Sequence, residues 1–230
     1  MRGLYAIVDL EALAARRIDP AAFAEALLRV PLAALQVRAK DAPARETLAL
    51  MREVAPMCHR AGVPLVANDR PDLAILAGCD CVHVGQTDMP VDRVRRIAPR
   101  LGVGVSTHNI EQLEAALAIR PVYVAYGPVF ETSSKANPDP VVGVASVRAA
   151  YARALAAGVP LVAIGGITRE RARDLVGFVD AVAVIGELLP PMVVGGATPA
   201  PGDVLREATA RAAAFNELFA SPPAVAGAAR

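Results

Sequence analysis

The sequence holds no tryptophan, three cysteines and, among its 24 basic residues, only two lysines. Aromatic residues of all kinds make up 4% of it. Net charge is scarce too, at +1, and no long block of basic residues occurs. That removes the electrostatic footprint of a nucleic-acid binder or of a protein drawn to an anionic membrane. No apolar run reaches the ~18–20 residues a membrane span needs. The N-terminal stretch MRGLYAIVDLEALAARR has a short apolar piece with an acid inside it and no small-residue cleavage site, so it does not read as a signal peptide. Cys58, Cys79 and Cys81 are odd in number, and the last two stand too close for a metal knuckle. They read as reduced, mostly buried thiols of a cytoplasmic protein.

What is abundant is apolar. At 54% of 230 residues, apolar side chains suffice for a sizeable core and argue against general disorder. A homo-oligomer is compatible with this composition. Short runs rich in Val, Ile and Leu recur: LYAIVD (4–9), ALQVRA (34–39), PLVAND (64–69), CVHVG (81–85), GVGVST (102–107), VYVAYG (122–127), PLVAIGG (160–166) and AVAVIG (181–186). Most are nearly continuous, which suits strands buried on both faces. Helical patterns lie between them. Asp19 and Pro20 open one as N-cap and first helical residue, and Gly62 closes the next. Further patterns fill DMPVDRVRRIAPRLG, NIEQLEAALAIR, ASVRAAYARALAAG, TRERARDLVG and GDVLREATARAAAFNELF.

Strand starts fall at intervals of roughly 17 to 38 residues, the alternation expected of parallel βα units. Eight units over this length fit a closed (β/α)8 barrel better than a doubly wound open sheet. No G-x-G-x-x-G follows the first strand, so a dinucleotide fold loses its main support. The expected organisation is one α/β domain, a TIM barrel over 1–220, with a mobile loop at 190–202 and a disordered tail at 221–230.

In such a barrel, chemistry belongs at the C-terminal ends of the strands. The second strand carries Gln36, Arg38 and Lys40 at period two, on one face. They point either to the mouth, where an anionic ligand would pair them, or to solvent from an edge strand. Asn68, Asp69 and Arg70 follow the third strand, and Asp88 follows the fourth. The two aspartates could share a hard cation such as Mg²⁺, or each could cap its neighbouring helix; spacing leaves both open. The fifth strand ends in Ser106, Thr107 and His108, and a lone histidine before a helix reads first as a cap or a solvated side chain.

After the sixth strand, GPVFETSSKANPDP brings Thr132, Ser133, Ser134 and Lys135. Both lysines, Lys40 and Lys135, thus stand at strand C-terminal ends, where a compact point charge suits a phosphate. Gly165, Gly166 and Gly186 end the seventh and eighth strands, the habitual backbone phosphate site of these barrels, although tight turns alone would also use glycine. Two anion sites at one mouth imply joining or transfer between two phosphorylated ligands.

These motifs resemble the thiamine-phosphate synthase family. QVRAK resembles its Q-L-R-x-K, and NDRPDLAILAGCDCVHVGQTDMP resembles its N-D-R-x-D-x-A…G-V-H-L-G-Q-x-D-M. GVSTH, GPVFETSSK and AIGGI match further family motifs. The resemblance implies a (β/α)8 barrel that joins 4-amino-2-methyl-5-hydroxymethylpyrimidine diphosphate to a thiazole phosphate and releases diphosphate. By the same resemblance Gln36, Arg38, Lys40, Asn68 and Lys135 would hold the pyrimidine diphosphate. Asp69 and Asp88 would ligate Mg²⁺, and Ser106 would lie near the pyrimidine. Thr132, Ser134, Gly166 and the Ile185–Gly186 backbone would hold the thiazole phosphate. Arg38, Lys135 and Ser106 are the catalytic candidates.

Three positions depart from the family pattern. Gly186 stands where a serine is usual, Glu131 where a proline is usual, and Val8 where threonine often precedes Asp9. Two rival readings are a thiazole tautomerase on a similar barrel, with His108 as acid and base, and a non-catalytic phosphate-binding barrel.

Overall fold

The computed structural model describes residues 1–132, 139–191 and 200–220. Eight parallel strands close a barrel in sequence order. They are β1 (Gly3–Asp9), β2 (Ala34–Arg38), β3 (Leu65–Asn68), β4 (Cys81–Val84), β5 (Gly102–Thr107), β6 (Tyr123–Tyr126), β7 (Leu161–Ile164) and β8 (Ala181–Val184). Closure is made by β8 against β1, with Tyr5 opposite Ala183. No strand is left at an edge, so the solvent-facing reading of β2 falls away. The helices are α1 (Leu10–Ala14), α2 (Pro20–Leu27), α3 (Ala44–Ala61), α4 (Pro71–Ala77), α5 (Val91–Ile97), α6 (Ile110–Ala118), α7 (Gly143–Ala157), α8 (Arg169–Ala172) and α9 (Pro201–Ala220), with a 3₁₀ turn at Gly186–Leu188. No described helix is long and apolar enough to cross a membrane.

Local chemistry explains the boundaries. Asp19 accepts from the Ala22 N–H and Pro20 opens α2. Gly62 ends α3 in the left-handed region, at φ 66°. Two expectations were too long. The eighth strand stops at Val184, and Gly186 already belongs to the 3₁₀ turn. The helix expected over TRERARDLVG keeps four α-helical residues, then tightens into i→i−3 bonds from Arg173, Asp174 and Leu175. The short α1, started by the Asp9 side chain accepting from the Ala12 N–H, was not expected.

Each strand alternates between two apolar compartments. Outward residues such as Leu4, Ala6, Val8, Leu35 and Val37 join Phe23, Leu27, Met51 and Val54 of the helices in the main core. Complete burial of such side chains stabilises by roughly 1.5–3 kcal/mol each. Inward residues form a smaller cluster: Tyr5, Ile7, Ala34, Val66, Cys81, Tyr123, Ala125, Val162, Ala181 and Ala183. Four of these are alanine, and Gly104 adds no side chain at all. That thinness makes room for two tyrosine rings low in the barrel. A Cβ on Gly104 would lie 2.1 Å from Cζ of Tyr123, so the ring occupies the space a side chain would take. Above the rings the barrel stays open.

Candidate active site

The opening is a cavity of about 520 Å³ at the C-terminal end of the strands. Its floor is polar. Gln36 Nε2 donates to the Tyr5 hydroxyl at 2.8 Å, the Tyr5 and Tyr123 hydroxyls are 2.8 Å apart, and His83 Nδ1 lies 2.9 Å from the Tyr123 hydroxyl. The rings of His83 and Tyr123 are nearly parallel, at 8°. Burial pushes both phenols well above their ordinary range, so they stay neutral. With Gln36 Nε2 as the donor to Tyr5, one proton order satisfies this chain. Tyr5 accepts from Gln36 and donates to Tyr123; Tyr123 then donates to His83 Nδ1, leaving the imidazole proton on Nε2. The reverse order would leave the buried Tyr5 proton without an acceptor.

One wall is charged. Arg38 and Asp9 are register partners on β2 and β1, and Arg38 Nη1 donates to the Asp9 carboxylate. Glu11 lies 3.6 Å from the same nitrogen. Its other oxygen accepts from the Lys40 and Asp41 N–H groups at 2.8 and 2.9 Å. Burial pushes the Glu11 carboxyl up, but these backbone bonds and Arg38 outweigh it and hold the group below its usual range. So two of the polar groups on β2 already have protein partners: Gln36 has Tyr5, and Arg38 has Asp9. Gln36 and Arg38 therefore do not depend on a ligand for pairing. Lys40 is half exposed, with Nζ 3.6 Å from Asp69 Oδ2.

Asp69 follows β3 in the left-handed region, at φ 62°, a conformation that few side chains adopt and that aspartate and asparagine adopt more readily than most. Its N–H donates to the His83 carbonyl at 2.8 Å, and Asn68 Nδ2 donates to its Oδ2 at 2.6 Å. Burial, and then the neighbouring Asp88, push its carboxyl up to about 6; Lys40 pulls the other way. Asp88 accepts from the Gly85 N–H at 2.7 Å. Neither aspartate caps a helix: the N-cap positions of α4 and α5 are Arg70 and Pro90, both without a side-chain capping bond. The capping alternative is thereby removed. The two carboxylates and the Asn68 amide are all hard oxygen donors, the set Mg²⁺ takes. A cation bound there would favour the ionised form of Asp69 against both its burial and the charge of Asp88. No cluster of three His, Cys, Asp or Glu occurs among the described residues, so waters or a ligand phosphate would complete any coordination.

Ser106 lines the cavity at the end of β5, and its carbonyl accepts from Gln86 Nε2 at 2.6 Å. His108 also faces the cavity, contrary to its reading as a cap or solvated group. Its Nδ1 is 2.6 Å from the Gly127 carbonyl and its Nε2 is 3.5 Å from Asp139 Oδ2, while Asn109 caps α6. The opposite wall holds Thr132, Gly165, Gly166, Ile185 and Gly186. A Cβ on Gly166, at φ 61°, would lie 2.2 Å from the Glu131 carbonyl oxygen, so this turn admits only glycine. Ser134 and Lys135 lie outside the described residues. Every other candidate (Gln36, Arg38, Lys40, Asn68, Asp69, Asp88, Ser106, Thr132, Gly166, Ile185 and Gly186) lines this one cavity. Tyr5, His83, Tyr123 and Arg171 line it too and were not expected. Only His83 left a trace in the sequence, as the polar residue in an otherwise apolar β4.

A family model described as thiamine monophosphate synthase matches residues 4–188. The chain belongs to the thiamine monophosphate synthase family. It is 45% identical over 193 residues to the thiamine-phosphate synthase of Koribacter versatilis (strain Ellin345), covering 81% of this chain and 88% of that one. It is 42% identical over 198 residues to the thiamine-phosphate synthase of Anaeromyxobacter dehalogenans (strain 2CP-C), covering 86% and 82%. The solved thiamine phosphate pyrophosphorylase from Pyrococcus furiosus superposes with a TM-score of 0.76 at 27% identity, over 95% of this chain and 97% of that one. Membership of the thiamine monophosphate synthase family thus spans the whole barrel, from β1 to the 3₁₀ turn after β8.

Proposed function

We propose that this chain is a thiamine-phosphate synthase. It joins 4-amino-2-methyl-5-hydroxymethylpyrimidine diphosphate to a thiazole phosphate, giving thiamine phosphate and diphosphate. The observation that carries the reading is the two-sided cavity: a cationic and carboxylate wall from β1 to β4 faces a hydroxyl and glycine wall from β6 to β8. In this reading Gln36, Asn68 and Ser106 hold the pyrimidine, and Arg38, Lys40 and Lys135 hold the diphosphate. Thr132, Ser134, Gly166 and the backbone of Ile185 and Gly186 hold the thiazole phosphate.

The chemistry asks little covalent work of the protein. The bond between the pyrimidine methylene and the diphosphate oxygen breaks, and its electron pair leaves with the diphosphate. The electron-rich aminopyrimidine spreads the positive charge left on the methylene. The thiazole nitrogen then gives its lone pair to that carbon and becomes cationic. No general base is needed. Arg38, braced by Asp9, and Lys135 stabilise the charge gathering on the leaving group. The two walls hold the methylene and the nitrogen within reach of one another. Asp69 and Asp88 would hold Mg²⁺, which when bound would neutralise part of the diphosphate charge. The polar floor seats the pyrimidine, and the rings of Tyr5 and Tyr123 keep water from entering below. Reduced thiols fit a cytoplasmic enzyme: burial pushes Cys58, Cys79 and Cys81 up to about 12 and leaves them unreactive.

The test is incubation with Mg²⁺ and the two substrates, together and singly. Diphosphate and thiamine phosphate are expected only when both are present. Conversion of a thiazole carboxylate phosphate alone would instead make His108 an acid and base and the chain a tautomerase. Binding without any product would make it a non-catalytic barrel.

A further inference from the structure

Three described cations besides histidine line the cavity, and their surroundings differ. Arg38 faces Asp9 and Glu11, and Lys40 faces Asp69. Arg171 has no carboxylate within 4 Å among the described residues, although it sits at the glycine wall. Its guanidinium is nonetheless fixed. Nη1 donates to the Gly166 carbonyl at 2.8 Å, and Cζ stands 5.0 Å from the centroid of the Phe130 ring. Its own N–H is tied to Thr168 Oγ1 at 3.2 Å. Two anchors therefore hold an exposed group that spends one of its five N–H donors on the described residues and meets no carboxylate partner among them. Glu131 and Glu187 line the same end, and neither has a cation within 4 Å among the described residues. These two carboxylates oppose an anion at that end, and Arg171 favours one.

We propose that Arg171 selects the phosphorylated thiazole: its guanidinium takes the substrate phosphate beside turn seven and sets the preference for the phosphate over the free thiazole alcohol. The assignment rests on the thiamine-phosphate synthase reading and concerns its second substrate. A planar guanidinium offers paired donors to phosphate oxygens, whereas the surrounding turns offer single N–H groups. The geometry also explains how a glycine can stand at position 186: the cation supplies from the seventh turn what a hydroxyl would supply from the eighth.

The experiment compares wild type, Arg171→Ala and Arg171→Lys on the phosphorylated thiazole and on its unphosphorylated alcohol. Steady-state turnover is measured with saturating pyrimidine diphosphate. Binding of each thiazole is measured separately by calorimetry, with Mg²⁺ and inorganic diphosphate occupying the other side. Arg171→Ala should weaken the phosphorylated thiazole by roughly 10- to 100-fold and leave the alcohol and the KM for pyrimidine diphosphate unchanged. Arg171→Lys should recover part of the loss, as a point charge without the paired donors. An alanine variant as selective as wild type, in a protein that turns over normally, overturns the assignment alone. Binding that depends on Arg171 without any thiamine phosphate formed would support the assignment and overturn the synthase reading. Failure of wild type to bind the phosphorylated thiazole would overturn both.

Discussion

The hydroxyls of Tyr5 and Tyr123 lie 2.8 Å apart at the floor of the barrel, across 118 positions of sequence. The rings meet edge to face, with centroids 5.6 Å apart. This pair closes the cavity from below and passes the proton order from Gln36 to His83. Tyr123→Phe keeps the ring and removes the link. It should remove the Tyr123 bond to His83 Nδ1 and the acceptor of the Tyr5 proton, at a cost of about 1–3 kcal/mol in urea unfolding. Nitrogen NMR should show the imidazole proton on Nε2 in wild type and a mixed tautomer in the variant. A variant with unchanged stability and an unchanged tautomer would refute the relay. Gly104→Ala tests the same floor by volume, since its methyl would strike Tyr123, and should cost at least as much.

Arg38 and Asp9 make a separate prediction. Asp9 does two jobs, holding Arg38 and capping α1 through the Ala12 N–H. Asp9→Asn keeps a capping oxygen and removes the charge. Leaving partly buried Arg38 with only the more distant Glu11 carboxylate should cost about 2–4 kcal/mol and lower turnover by loosening the guanidinium. Asp9→Ala should cost roughly 1 kcal/mol more, for the lost cap. Equal losses in the two variants would mean that the cap contributes nothing.

How much of this was legible in the sequence depends on how local the cause is. Continuous apolar runs announced the strands, Asp19 and Pro20 the start of α2, and Gly62 the end of α3, because each signal acts within a turn or two of chain. Period two put Gln36, Arg38 and Lys40 on one face. What stayed hidden were partners. Nothing near Arg38 in sequence indicates Asp9, 29 positions away, and nothing near Gln36 indicates Tyr5; barrel closure and register bring them together. Arg171 was hidden among the 24 basic residues, and only its surroundings distinguish it. An inward polar side chain does not by itself reveal a ligand, because other inward polar side chains can pair it, as Tyr5 pairs Gln36 and Asp9 pairs Arg38.

Asp69 gives a prediction with a sign. In the metal-free protein its carboxyl is pushed up to about 6, first by burial and then by Asp88, whereas an ordinary aspartate ionises near 3.8. Between those values the folded state binds more protons than the unfolded one, so this group's contribution to stability falls as pH rises through the window. Mg²⁺ should therefore raise Tm at pH 7.5 and do so much less at pH 5, where protons compete for the site. At a hundredfold excess over Kd the gain at the higher pH is about 2.7 kcal/mol. Asp88→Asn keeps an acceptor for the Gly85 N–H, and should abolish the Mg²⁺ response and cut turnover about tenfold or more. A Tm gain equal at both pH values would remove the carboxylate pair as the metal site.

Gly186 supplies the last prediction, because its glycine is not required by space. A Cβ there meets nothing within 4 Å, unlike one at Gly166, which would meet the Glu131 carbonyl oxygen. Gly186→Ser should therefore fold normally and gain ~0.4–1 kcal/mol from a less flexible unfolded chain. Its hydroxyl would enter the cavity beside the proposed thiazole phosphate. One added hydrogen bond to an anion should lower the KM for the phosphorylated thiazole by about 3- to 10-fold and leave the alcohol untouched. In an Arg171→Ala background the same serine should restore part of the lost selectivity, since both groups would serve one phosphate from adjacent turns. If the serine instead raises that KM, turn eight crowds the phosphate rather than binding it. The preference for phosphate would then have to rest on the seventh turn alone.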